Sequence, residues 1–140
     1  MKTIIHNTEN GKVVITSISD DISVVDYCQK YLNGETHYLI LSNGDAIPDS
    51  YFQEAWKFEN FILSIDIEKA KQIQLERFRN ARDPILKKLD IQFMRAVEND
   101  DKDLQKSISA KKQELRDITL LKLSNDLNEI KNTWPDVLKT

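Results

Sequence analysis

Two histidines and one cysteine are the side chains of this 140-residue chain that most readily bind metals or act in catalysis. Neither His6 nor His37 has a Cys, His or carboxylate at a spacing typical of a metal site. No Gly-x-Ser-x-Gly segment marks a nucleophile, and the glycines are isolated, so there is no phosphate-binding loop. Cys28 stands alone, which excludes an internal disulfide and favours a small buried side chain. The sequence therefore predicts a protein that is not an enzyme, with no catalytic residue, metal site or cofactor.

Charged segments are the next candidates for chemistry. The acidic segment 99–103 lacks the mid-loop glycine and distal glutamate of a calcium loop, so it predicts a solvated turn before a helix. Basic residues are densest between positions 69 and 88, but only one aromatic, Phe78, is interleaved with them, whereas single-stranded nucleic acid sites use several. We expect a solvated, partly ion-paired face, with protein docking and nucleic-acid binding as alternatives. The residues assigned to a basic docking face are Arg77, Arg79, Arg82, Lys87 and Lys88.

Composition limits the class of protein further. Hydrophobic residues make up 40% and charged residues 31% of the chain, which is ordinary for a folded soluble protein. The net charge of −3 argues against a general nucleic-acid binder. No apolar run approaches the ~20 residues of a membrane helix, and the first residues turn polar too early for a signal peptide. We expect no membrane contact and a location in a cytoplasm.

The first 65 residues predict a small sheet. Two β-branched runs, Thr3 to Ile5 and Lys12 to Ile18, flank Asn10-Gly11, and this dipeptide is typical of a hairpin because both residues tolerate positive φ. Tyr38 to Leu41 is an apolar run typical of a strand, closed by a turn at residues 42–45. The segment from Lys57 to Ile65 predicts one further strand.

Two short helices are expected to accompany this sheet. Asp20 or Asp21 is predicted to cap the first, and Asn33-Gly34 to end it with positive φ. The second is predicted from Ser50 to Trp56. The apolar face of the first helix is predicted to contain Ile22, Val25, Cys28 and Leu32.

From Asp66 onward the apolar spacing becomes helical. Residues 67–82 predict a helix, and Asp83-Pro84 predicts a break or kink because proline disfavours a helical residue before it. A stripe from Leu86 to Val97 follows, and then a helix over the next segment, so that the two middle helices resemble an antiparallel hairpin or coiled coil. A last helix is predicted to be capped by Ser124 and stopped by Pro135. The predicted class is α+β: residues 1–65 form a small sheet with short helices, and residues 66–140 form a helical hairpin or bundle.

The apolar stripes of the second half predict a protein-binding surface. They are spaced for helices that pack on one side, and we expect them to exceed what a body of this size covers by itself. A partner or a second copy of the chain would then cover them, so we expect a homo-oligomer or a bound partner. Whether the terminal helix is docked or free is left open. The residues assigned to this surface are Leu104, Ile108, Leu115, Ile118, Leu127, Ile130 and Trp134.

Several blocks after residue 45 resemble a known pattern in order and spacing. The segment Ile47 to Trp56 resembles IP-x-D-R-x-F-R-x-A-W, and Pro84 to Ala96 matches P-x-L-x-x-L-D-x-x-F/Y-M/Q-R-A. Lys112 to Thr119 matches K-Q-x-L-R-D-x-T, and Trp134 to Leu138 matches W-P-x-x-L. The chain departs from the pattern at Ser50-Tyr51, and at residues 73–75, where Ile-Gln-Leu replaces Ile-His-Arg.

These blocks, over roughly residues 45 to 138, resemble small phage and prophage proteins of the tail assembly chaperone and tail-fibre assembly type. The resemblance implies a virion-assembly protein that binds a phage tail or tail-fibre polypeptide through helical surfaces, located in the cytoplasm of the bacterial host or in the virion. One alternative is a permanent structural or adaptor subunit of the phage particle. An alternative of another class is a nucleic-acid-binding regulator that uses the basic stretch 69–88.

Overall fold

The predicted α+β class is confirmed by the computed structural model, which describes residues 1–35, 37–41, 45 and 47–139. The chain divides after Lys69, a few residues later than the boundary expected from the sequence. We call residues 1–69 the sheet unit and residues 70–140 the helical unit. The turn expected at residues 42–45 lies outside the described residues except for Asp45.

Three antiparallel strands form the main sheet of the sheet unit. They are β1 (Lys2–Asn7), β2 (Val13–Ile18) and β3 (Tyr38–Leu41), in the spatial order β2-β1-β3. The predicted hairpin is confirmed, and Gly11 supplies the positive φ of its turn at 76°. Because side chains alternate along a strand, the adjacent Ile4 and Ile5 of β1 are buried on opposite faces.

Helix α1 (Val24–Tyr31) packs on the Ile4 face of this sheet. Its cap is Ser23, whose hydroxyl accepts from the Asp26 backbone N–H at 3.4 Å, so the expected Asp20 or Asp21 cap is wrong. The two aspartates bond elsewhere, Asp20 with the chain's terminal amine and Asp21 with the Ser19 hydroxyl. The buried face is correspondingly shifted: Val24 and Cys28 are buried, Leu32 is partly buried, and Ile22 and Val25 are exposed.

A second hairpin packs on the Ile5 face. The segment from Lys57 to Ile65 is not one strand but two, β4 (Trp56–Glu59) and β5 (Ile62–Ile65), preceded by a 3-10 helix at Ser50–Ala55. Asn60 and Phe61 form the two-residue turn with φ of 51° and 62°. This turn normally contains glycine, so the sequence carried no signal for it. The buried cluster on this face is Ile5, Val13, Trp56 and Phe58.

Helix α2 (Ile67–Glu98) runs through Pro84 without ending, so the expected break is wrong. Proline removes the hydrogen bond to the carbonyl of Asn80, but both residues are exposed and water can satisfy that carbonyl. Buried Phe78 and Leu89 hold the helix in place on either side of the proline. Packing on both sides of Pro84 therefore outweighs the tendency of proline to break a helix.

Helix α3 (Lys102–Asp117) follows a tight turn and is capped by the Asp101 carboxylate, which accepts from the Leu104 backbone N–H at 3.0 Å. A 3-10 turn at Ile118–Leu120 ends it. The last helix, α4 (Leu127–Asn132), is shorter than expected, and its cap is Asp126 rather than Ser124. Trp134 lies beyond its end, and a final 3-10 turn spans Asp136–Leu138.

Candidate protein-binding surfaces

Polar contacts join α2 and α3, the two helices of the helical hairpin. The Lys112 ammonium lies 2.6 Å from the Asp90 carboxylate and 5.5 Å from the centre of the Phe93 ring. Nearer the turn, the Gln105 side chain donates to the Ala96 carbonyl at 3.2 Å. Since partners later in α2 contact residues earlier in α3, the two helices run antiparallel, as predicted.

The C-terminal segment is docked on α2, which answers the question left open by the sequence. The Gln74 side-chain amide is fully buried and donates to the Thr133 carbonyl at 2.9 Å. Trp134 packs edge-on against Phe78 with ring centres 5.5 Å apart. At the surface, the Lys71 ammonium donates to the Asn125 side chain at 2.6 Å.

This docking changes the role of the apolar stripes. Ile108, Leu115, Ile118 and Ile130 are buried, with exposures of 5%, 0%, 5% and 0%. The expectation that they are uncovered is wrong, because the hairpin and the C-terminal segment cover them within the chain itself. This removes the reason for expecting self-association, and the homo-oligomer stays a prediction. Of the other assigned residues, Leu127 and Trp134 are half-buried and only Leu104 is exposed.

Other apolar side chains are exposed at the closed end of the hairpin. Ile91, Met94 and Val97 in the last two turns of α2 are 55%, 65% and 51% exposed, and Leu104 in the first turn of α3 is 45% exposed. We call these four residues the tip patch. The three in α2 are spaced by three residues and therefore follow one side of the helix. Their spacing is visible in the sequence, but α2 also carries a second apolar stripe, which is buried, and spacing alone does not distinguish the two.

The five basic residues do not form one face. At about 100° per residue, Arg79 and Lys87 point roughly 200° and 280° away from Arg77 around α2. Arg79 pairs with Glu76 at 2.9 Å and Arg82 with Asp83 at 3.3 Å. The remaining member of the set is Lys88, close to Arg77 in direction. The expected single docking face is therefore wrong, although the expected ion pairing is present at these two residues.

The histidines and the cysteine lie apart in the sheet unit. Buried His6 has one ring nitrogen 3.3 Å from the Thr16 hydroxyl and the other 3.3 Å from the Asn7 carbonyl. A cavity of about 500 Å³ beside it also contains Glu9 and Glu35. The ring is held by the chain's own oxygens, which accounts for its burial.

His37 is at the surface, 3.4 Å from the Glu35 carboxylate and stacked on Phe61. Cys28 is buried, and this burial raises the pKa of its thiol. Within the described part of the chain, no three His, Cys, Asp or Glu side chains lie together as a metal-binding group. That the protein has no metal and is not an enzyme stays a prediction.

Comparison with models of known protein families, with curated proteins and with solved structures found no match. No helix in the described ranges is both long enough and apolar enough to cross a bilayer.

Proposed function

We propose that the chain is a phage or prophage virion-assembly protein that binds a tail or tail-fibre polypeptide through the outer surface of its helical hairpin. The tip patch is the observation that carries the binding role. Single exposed apolar residues are common on soluble proteins, but four half-exposed ones within residues 91–104, beside a closed core, favour an interface.

The matched sequence blocks support the phage context. Asp90 and Lys112 belong to two different blocks and pair with each other, while Trp134 of a third block packs on Phe78. These matched residues therefore hold the helical unit together. Gln74, which stands where the pattern has histidine, makes the buried hydrogen bond to Thr133, so this departure is used in the fold.

A binding measurement tests the proposal. The full chain is titrated with each tail and tail-fibre polypeptide encoded in the same phage or prophage genome, using isothermal titration calorimetry. Met94→Asp and Val97→Asp place a charge in the tip patch, and each is expected to weaken binding about tenfold or more. Ile62→Asp is the matched control, because Ile62 is 66% exposed in the sheet unit. If no such polypeptide binds, or if the tip variants bind as well as the control, the proposal is wrong.

Purified phage particles separate the two forms of this role. A chaperone acts before assembly is complete and is absent from particles, whereas an adaptor subunit is present in fixed copy number. Quantitative mass spectrometry of purified particles gives that copy number directly. We propose the chaperone form, so a fixed stoichiometry in particles would replace it with the adaptor form.

A further inference from the structure

A second apolar feature lies at the other end of α3 from the tip patch. Here the helical unit contains a cavity of about 250 Å³ that is lined in part by apolar side chains. Leu121, one of its lining residues, is 44% exposed, and the neighbouring Leu120 is 80% exposed, which extends the apolar surface outward. We call this cavity the terminal notch. We call its apolar lining residues the floor: Ile118, Leu121, Pro135 and Val137.

The size of the terminal notch limits what it can hold. Sites for small molecules and cofactors usually have volumes of about 300–1,000 Å³. The notch is smaller than this range and is open at its mouth. It therefore suits a single anchoring side chain of a polypeptide, as in the central pockets of protein interfaces.

Three carboxylates also line the notch, and we call them its wall: Glu114, Asp117 and Asp136. Asp136 is paired with Lys139 at 2.8 Å, and that hydrogen bond lowers the pKa of its carboxyl group. Among the residues that the structure describes, Asp117 accepts only from the neutral Gln113 amide, at 2.9 Å, and Glu114 makes no hydrogen bond or ion pair. Two carboxylates are thus left without a cation beside an apolar floor.

We propose that the terminal notch docks one aliphatic or aromatic side chain of a partner polypeptide in which Lys or Arg flanks that anchor. The inference rests on the proposed function, since it names a second contact with the same class of partner. The floor removes the anchor from water, while the wall attracts basic flanks and repels acidic ones. The charge of the wall thereby selects among apolar segments that would otherwise fit equally well.

Peptide titration by NMR tests this assignment. The isotopically labelled full chain is titrated with a synthetic peptide carrying one Leu between two pairs of Lys, and with matched peptides in which Glu replaces Lys or Ser replaces Leu. We expect shifts at Ile118, Leu121 and Val137 with the first peptide only. Because the attraction is electrostatic, its affinity falls as salt is raised.

Variants separate the contribution of the carboxylates from that of the apolar floor. Glu114→Lys is expected to weaken the Lys peptide about threefold to fivefold, the effect of an exposed charge pair. Leu121→Asp is expected to weaken it about tenfold or more. Glu98→Lys makes the same charge change on an exposed carboxylate of α2 and should leave binding unchanged. Urea unfolding of each variant verifies that the fold is retained.

Several results would overturn the inference. These are equal binding of the Lys and Glu peptides, shifts centred away from the notch, or an unchanged affinity in Glu114→Lys. A dimer in sedimentation equilibrium that Leu121→Asp dissolves would identify the occupant as a second copy instead. Failure of this inference is distinguishable from failure of the proposed function. If Met94→Asp loses tail-polypeptide binding but no peptide binds at the notch, the assignment of the notch is wrong and the proposed function is retained.

Discussion

The sheet unit and the helical unit bury their apolar residues in different ways. In the sheet unit, one cluster lies on each face of a three-stranded sheet, covered by α1 on one side and by the β4–β5 hairpin on the other. In the helical unit, the inner stripes are closed by a segment that returns from 59 residues away, through Gln74 and Thr133. Alternation along a strand shows which face a residue occupies, but a helical stripe does not show whether its cover is the same chain or another.

The two units also differ in charge. Residues 1–69 contain five lysines and eleven carboxylates, a formal charge of −6, whereas residues 70–140 contain fifteen Lys or Arg and twelve carboxylates, a charge of +3. The net charge of the whole chain conceals this contrast. Yet the acidic wall of the terminal notch lies in the positively charged helical unit. The positions of individual charges therefore say more about binding than the net charge of either unit.

The largest predicted effect is a difference in stability between two variants of α3. One alters a buried residue and the other an exposed residue of the same predicted stripe. Leu115→Ala opens a cavity in the core of the helical unit and should lower the free energy of unfolding by about 2–5 kcal/mol. Leu104→Ala, on the same helix, should lower it by less than about 1 kcal/mol because its side chain is 45% exposed. Urea unfolding followed by circular dichroism measures both. Similar losses in the two variants would show that the stripe is uniformly buried or uniformly open.

The link to the C-terminal segment is tested next. Gln74→Ala removes the buried hydrogen bond to the Thr133 carbonyl and leaves that oxygen without its donor, which should cost about 1–3 kcal/mol. Gln72→Ala is the matched control, since Gln72 is exposed on the same helix. The tryptophan emission, to which Trp134 and the buried Trp56 both contribute, should shift toward that of a solvated tryptophan in the first variant only. An unchanged stability in Gln74→Ala would mean that the segment is held without this bond.

A smaller effect is expected from the ion pair inside the hairpin. Lys112→Ala removes both the Asp90 contact and the cation over the Phe93 ring, and should cost about 0.5–1 kcal/mol. The lysine side chain is only 17% exposed, so part of this cost is lost packing of its methylenes. Lys106→Ala, an exposed lysine of α3, serves as the control. A double-mutant cycle with Asp90→Asn isolates the pair, and zero coupling would contradict its assigned role.

The smallest effect concerns pH and the start of α2. The Asp66 carboxylate accepts from the Lys69 backbone N–H at 3.2 Å, and mainly for this reason its pKa lies below the ordinary value of 3.8. Its contribution to stability is therefore complete above pH 3.8 and is lost as the pH falls through the lower pKa of the folded state. Asp66→Asn keeps a capping oxygen without the charge.

The urea midpoints of Asp66→Asn and the unaltered chain measure this contribution. They should differ slightly at neutral pH and converge as the pH is lowered below 3.8, through the lower pKa of the folded state. A difference that persists unchanged in acid would show that the charge of Asp66 is not the cause.

Much of the sheet unit could be predicted from the sequence because its signals are local. Asn10-Gly11 indicated the first hairpin, and the run from Tyr38 to Leu41 indicated β3. The second hairpin was missed because Asn60-Phe61 adopts a turn normally made by glycine. The cap at Ser23 was missed because Asp20 and Asp21, equally good caps by type, are engaged with other groups.

The candidate site was harder to predict than the fold. The period of Leu115 and Ile130 correctly indicated helices, but their cover depends on a long-range fold of the C-terminal segment that no local pattern contains. The local effect of Pro84 likewise does not decide the course of α2, because Phe78 and Leu89 pack on either side of it. The exposed residues of the tip patch became distinguishable only once the buried face was known.

Hydrogen exchange in the chain alone tests most directly whether the helical unit covers its own stripes. If it does, the backbone amides of Leu115 and Ile130 exchange only through global unfolding, with free energies equal to that from urea unfolding. The contrary result is exchange through local opening at these two amides, with protection gained only when a tail polypeptide is added. That outcome would return the buried stripes to the binding surface and remove the tip patch from it.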